Sequence, residues 1–257
     1  MFFISQNKNY ASNGGPVRYL DASSLSRPQN LPRNLYAIAG AVLLAAVIIG
    51  AFMLHGVLDG VLNASERDAQ AVQENIARDV TYSLPILSDL ILQDNATIKQ
   101  SFVDAGFTIY DKTNTESNPD GLDLVKLPSD VSEVDAASYY AKGISKLSAT
   151  EASRLFKGAW TFSLTRNDYT DMRVKYVDFS SGTIEAAIDD AIVSEGLSET
   201  TYTDSGTDDA GNTYQAGTID IDGTTYTWRV SAIALSEVYD ISGLPNTAIY
   251  VGIRMTP

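Results

Sequence analysis

Between Leu35 and Leu58 the chain runs for 24 residues without a fixed charge. As a helix that run would reach ~36 Å, longer than the ~30 Å hydrocarbon core of a bilayer, with room left for tilt. A soluble helix of this length shows water a polar stripe, and here no such stripe appears before His55. The run is therefore expected to span a membrane. Arg27 and Arg33 precede it, while Asp59, Glu66 and Asp68 follow it. Positive charge stays on the cytoplasmic side, so the expected topology is single-pass at the plasma membrane, with the N-terminus inside and the C-terminal part extracellular.

Three rivals fail on particular residues. Signal-peptide cores run ~7–15 residues, and cleavage after Gly56, Gly60 or Ala64 would place Leu54, Leu58 or Leu62 where a small residue is wanted. Acylation as a bacterial lipoprotein needs a cysteine, and the chain has none. A type IV pilin would carry a processed glycine directly before the run and a glutamate within it. Gly15 is too distant, and no glutamate is present. A retained signal-anchor remains, with His55, the only histidine, near its outer interface.

Charge divides at the same place. Before Leu35 stand Lys8, Arg18, Arg27 and Arg33 against Asp21, a net +3 within a total of −14, so the remainder carries −17. An acidic surface of that size repels phosphate backbones, which argues against nucleic acid as a partner. Lack of cysteine removes disulfides, thiol nucleophiles and thiolate metal sites. An exported domain held together by its core alone suits a bacterial cell envelope.

Residues 1–34 are rich in Asn, Ser, Gly and Pro and read as a disordered cytoplasmic tail. Residues 59–94 read as an amphipathic helical stalk, with apolar residues at Leu62, Ala69, Val72, Ile76 and Val80, a break at Pro85, and a further face of Leu84, Leu87, Leu90 and Ile91. Either a second copy, in a homo-oligomer, or the chain's own domain can cover that stripe.

From 95 to 257 the periodicity predicts one extracytoplasmic α+β domain with a mainly antiparallel sheet and several helices. A helix capped by Asn95 ends at Gly106; a second, opened by Ser129 or Ser132, turns Val134, Ala137, Tyr140 and Ile144 inward. Ser148 and Glu151 form a capping box, and Ile184 to Ile192 trace an amphipathic helix ending at Gly196. Strands are expected at 107–110, 122–127, 160–166, 172–179 and 248–255, and a β-rich stretch turns at Asp222-Gly223. Arg173 and Lys175 fall on the polar face of their strand, and Tyr250 and Arg254 on the polar face of theirs.

Beyond His55 the chain has neither histidine nor cysteine, which excludes Ser-His-Asp, Cys-His and HExxH chemistry outside the membrane. No S-x-x-K occurs there either. Asp204, Asp208 and Asp209 invite a Ca²⁺ loop, but their spacing departs from the EF-hand pattern and suits a turn. Tyrosine and tryptophan supply rigid contact area for sugars and peptides, which makes Tyr202, Tyr214, Tyr226, Trp228 and Tyr250 the candidate ligand contacts.

The sequence thus predicts a membrane-anchored, non-enzymatic binding or accessory protein of the cell envelope. No cofactor or metal is expected. Its partners would be the lipid bilayer and an envelope protein, membrane protein or glycan. One alternative is a scaffold subunit assembling through the membrane helix and stalk. A weaker one is an envelope hydrolase using paired carboxylates, which needs two carboxyl groups ~5–9.5 Å apart in a cleft.

Overall fold

Alternating apolar and polar residues build eight strands: β1 (Ile109–Asp111), β2 (Leu122–Lys126), β3 (Trp160–Arg166), β4 (Thr170–Asp178), β5 (Thr201–Thr207), β6 (Thr213–Ile221), β7 (Thr224–Ala234) and β8 (Ile249–Thr256). The computed structural model describes residues 64–80, 83–166 and 169–257. The tail at 1–34 and the apolar run at 35–58 lie outside the described residues. Among the described residues no helix is long and apolar enough to cross a membrane.

All eight strands join one sheet in the order β1-β2-β3-β4-β8-β7-β6-β5, and every neighbouring pair is antiparallel. The expected α+β architecture is present. Ile249, Val251, Ile253 and Met255 of β8 face the main core, as their alternation predicts. The β6–β7 hairpin turns at Asp222 and Gly223, with φ of 50° and 80°. Positive φ at both central residues marks the turn whose twist matches the strands it joins.

Helix α1 occupies 64–77 of the described residues. It is followed by α2 (Leu87–Leu90), α3 (Asn95–Asp104), α4 (Glu133–Lys142), α5 (Ala149–Phe156), α6 (Ile184–Ser194) and α7 (Leu235–Val238). Asp94 rather than Asn95 caps α3, its carboxylate accepting from Thr97 N–H at 2.9 Å. Asn95 is already helical, and its amide oxygen accepts from Arg166. Ser132 caps α4, but the inward residue is Ala136, while Val134 is 79% exposed. Of the expected inner face, Tyr140 and Ile144 pack against a buried cluster around Val125 and Leu155, Ile144 from a separate 3₁₀ turn after α4 stops at Gly143 (φ +89°).

Ser148 and Glu151 close the expected capping box on α5: the Ser148 hydroxyl accepts from Glu151 N–H, and the Glu151 carboxylate accepts from Ser148 N–H. Ser148→Ala is expected to lower unfolding free energy by about 1 kcal/mol in a urea titration. An unchanged midpoint would show that the box contributes nothing net.

The two faces of the sheet are covered unequally. On one face α2, α3 and α6 complete a large core around Trp160, Phe162, Trp228 and Val251. On the other, α4, α5 and the α7 region cover only part, burying Val125, Leu155 and Ile241 in one cluster and Val177 and Leu235 in another. The rest of that face is open. Apolar positions of the predicted stalk, Val72, Leu87, Leu90 and Ile91, are buried. Side-chain bonds from Asn75 to Ser153 Oγ and Thr150 O, and from Arg78 to Arg154 O, fasten that stretch to α5.

Candidate ligand-binding face

Where the partial helical cover ends, a cleft of about 290 Å³ opens on the half-covered face. Its floor is sheet, with Thr161 and Ser163 from β3, Lys175 from β4 and Tyr250 from β8. Its wall comes from the covering elements, with Tyr140 on α4 and Tyr239 just after α7. Residues opposite one another on adjacent strands share a face, and the register sets Thr161 beside Lys175 and Lys175 beside Gly252.

Aromatic packing fixes the wall. Tyr140 stacks on Tyr110 with centroids 5.8 Å apart, and Lys112 Nζ lies 4.6 Å from the Tyr140 ring centre. Tyr239 stacks on Phe156 and meets Tyr250 edge-on at 6.0 Å. Burial pushes the Tyr140 and Tyr250 phenols well above the usual tyrosine range, and the neighbouring Tyr239 adds to both shifts. These phenols stay protonated at neutral pH and act as hydrogen-bond donors. The one carboxylate lining the cleft is Asp123, which lies 3.4 Å from Lys112 Nζ. Burial, followed by the nearby Arg173 charge, lowers the Lys175 ammonium pKa.

Beyond the cleft the same face carries three arginines in one lateral row. Arg173 of β4 lies opposite Arg254 of β8, which lies opposite Arg229 of β7. Like charges in direct cross-strand register repel, so the row requires compensation. Asp171, its side chain 6% exposed, accepts fork-fashion from both Arg173 and Arg254; the Arg254 bonds measure 3.0 and 2.9 Å. Burial opposes the charge on Asp171, but the two guanidiniums outweigh it and hold the carboxyl below its usual range. Arg229 lies 3.7 Å above the Tyr214 ring and reaches Asp208 at 3.0 Å.

The five sequence candidates are separated. Tyr250 lines the cleft, and Tyr214 lies on the same face beneath Arg229. Tyr226 and Trp228 point into the core, at 7% and 0% exposure. Tyr202 is half exposed on edge strand β5, its ring edge-on to Trp228 at 5.4 Å. Alternation within β7 puts Tyr226, Trp228 and Val230 on the core side and Arg229 on the open side. Tyr140 and Tyr239 lie outside the five, because their approach depends on how α4 and the α7 region fold back over the sheet. Asp208 and Asp209 lie in the β5–β6 turn, where Asp208 accepts from the Ala210 and Asn212 N–H groups, while Asp204 lies on β5 and accepts from Tyr214 OH. Among the described residues no three His, Cys, Asp or Glu side chains gather as a metal site.

Compared with known proteins, the chain matches no family model, no curated protein and no solved structure.

Proposed function

We propose that the protein is a membrane-tethered, non-enzymatic binding module that displays an extracytoplasmic α+β domain at the cell envelope. The 35–58 run would anchor it, and the half-covered face of the sheet would meet the ligand. The observation carrying this reading is the cleft, where Tyr140, Tyr239 and Tyr250 join Thr161, Ser163 and Lys175. Rigid aromatic walls with a few convergent polar groups suit recognition of sugars or extended polar chains. Phenols held in the neutral form and a single carboxylate paired with a lysine favour binding over carboxylate-pair hydrolysis. Assembly through the stalk would draw on its apolar stripe, yet Val72, Leu87, Leu90 and Ile91 are already covered.

The test uses the full-length protein in detergent, sedimented with washed bacterial cell-wall fragments. Thr161→Trp fills the cleft from its floor on the side away from the main core, beside Val125 of the smaller cluster. It is expected to reduce co-sedimentation at least tenfold while leaving the melting temperature close to that of the unaltered protein. Equal sedimentation of both proteins would remove the cleft as the binding site.

A further inference from the structure

The arginine row is not explained by packing. The sheet continues on both sides of it, the three side chains stand on the open face, and Arg173 and Arg254 are 40% and 44% exposed. Each guanidinium has five N–H donors, and the bonds to Asp171 use two from each. The remaining donors are presented by groups already held in place, so little entropy is lost when an anion engages them. Counting Lys112 and Lys175 with the three arginines against Asp123, Asp171, Asp204 and Asp208, this stretch of the face is net positive by one, on a chain of net charge −14. Ionic screening at ~8 Å in physiological salt limits how far the surrounding acidic surface offsets the patch.

Its neighbours indicate what kind of anion fits. Hydroxyls lie around the row, with Ser163 opposite Arg173 on β3, Ser231 and Thr227 two residues to either side of Arg229 on β7, and Thr256 opposite Thr227; along β4 the row is flanked by Asp171 and Lys175. Tyr169 stands exposed close to Arg173 at one end, and Tyr214 supports Arg229 at the other. No large exposed aliphatic side chain belongs to the patch, so a membrane-inserting wedge is absent from it. Neighbouring strands lie ~4.8 Å apart, so the outer two arginine positions are separated by about 10 Å, comparable to the length of a disaccharide. Lys175, two residues along β4 from Arg173, connects the row to the cleft.

We propose that this row recognises an acidic glycan, a chain of carboxylate-bearing sugars lying across β4, β8 and β7 with one end in the tyrosine cleft. The proposal rests on the cleft reading above and names the ligand class for that face. Carboxylates would take the free guanidinium edges, ring hydroxyls would meet Ser163, Ser231 and Thr227, and the phenols would line the sugar that enters the cleft.

Titration calorimetry on the full chain in detergent tests it, with oligogalacturonate, neutral cello-oligosaccharide and inorganic polyphosphate as separate probes. Oligogalacturonate is expected to bind, to weaken several-fold between 50 and 300 mM salt, and to outcompete both other probes. Arg229→Gln and Arg254→Gln should each weaken it about tenfold, the value of one charge-assisted contact. Arg67→Gln, the same charge change on exposed α1, should leave binding unchanged. Arg254→Gln also removes a partner of Asp171; if it fails to fold, Arg229→Gln decides alone. No oligogalacturonate binding, binding indifferent to Arg229→Gln, or binding of polyphosphate only would each overturn the proposal. Neutral oligosaccharide bound with Thr161→Trp sensitivity and no Arg229→Gln sensitivity would overturn it while leaving the cleft reading intact.

Discussion

Trp160→Ala is expected to destabilise the fold by about 3–5 kcal/mol, the cost of deleting a fully buried large aromatic side chain. Trp160 is 1% exposed at the start of β3, and Phe102 and Phe107 meet it edge-on at 5.1 and 5.9 Å. Its indole N–H donates to Ser83 O at 2.9 Å, tying the connection between α1 and α2 to the sheet. Truncation therefore leaves a cavity between α3 and β3 and also removes the partner of a backbone carbonyl. Trp160→Phe separates the two effects: most packing is retained, and the lost hydrogen bond alone should cost about 1 kcal/mol. Chemical denaturation of both variants measures the difference. If Trp160→Ala unfolds at the denaturant concentration of the unaltered protein, the aromatic cluster does not hold the core.

Raising the pH from 5 to 8 is expected to weaken the domain by about 3 kcal/mol through one side chain. Glu195 follows α6 and is 2% exposed; one carboxylate oxygen accepts from Leu87 N–H at 2.9 Å, and the other has no partner. Burial raises its pKa from 4.5 to about 7; the Leu87 N–H opposes this, and the Asp89 charge reinforces it. The folded state thus holds this proton more tightly than the unfolded state. Between pH 4.5 and 7 stability falls as pH rises, and above 7 the loss is complete. Asp171 and Asp178 act oppositely and at lower pH: their folded pKa values are depressed, so their contribution disappears as pH falls below the ordinary aspartate value. Maximum stability is expected near pH 5. Glu195→Gln, which cannot ionise, should match the unaltered protein at pH 5 and exceed it at pH 8. Parallel stability–pH curves for the two proteins would rule out Glu195 as the source.

Local signals carried much of the fold. The capping box at Ser148–Glu151, the Asp222-Gly223 turn and the alternation of β8 depend on residues a few positions apart, and all are present. The cap of α3 moved by one residue because Asp and Asn are both good caps, and Asn95 is occupied by Arg166 and Gly121 O. The sheet order was beyond local reading, since β4 pairs with β8 across some seventy residues. The face suffered most from this. The polar sides of β4 and β8 were legible strand by strand, placing Arg173, Lys175, Tyr250 and Arg254. That they form one surface with Arg229 follows only from the register of β8 with β7 and with the distant β4. Tyr226 and Trp228 were chosen for residue type, and the inward phase of β7 puts both in the core.

Strand β8 is the seam of the sheet, with β1–β4 on one side and β5–β7 on the other, joined only through it. Without β8 each half-sheet has a long unpaired edge, β4 and β7. Those two edges are not partners in the folded sheet, since β8 lies between them. Arg173 and Arg229 stand on the same face of those edges, each beside its own carboxylate, Asp171 and Asp208. The two halves become one sheet only when β8 enters between them, so the fold is completed by its last strand.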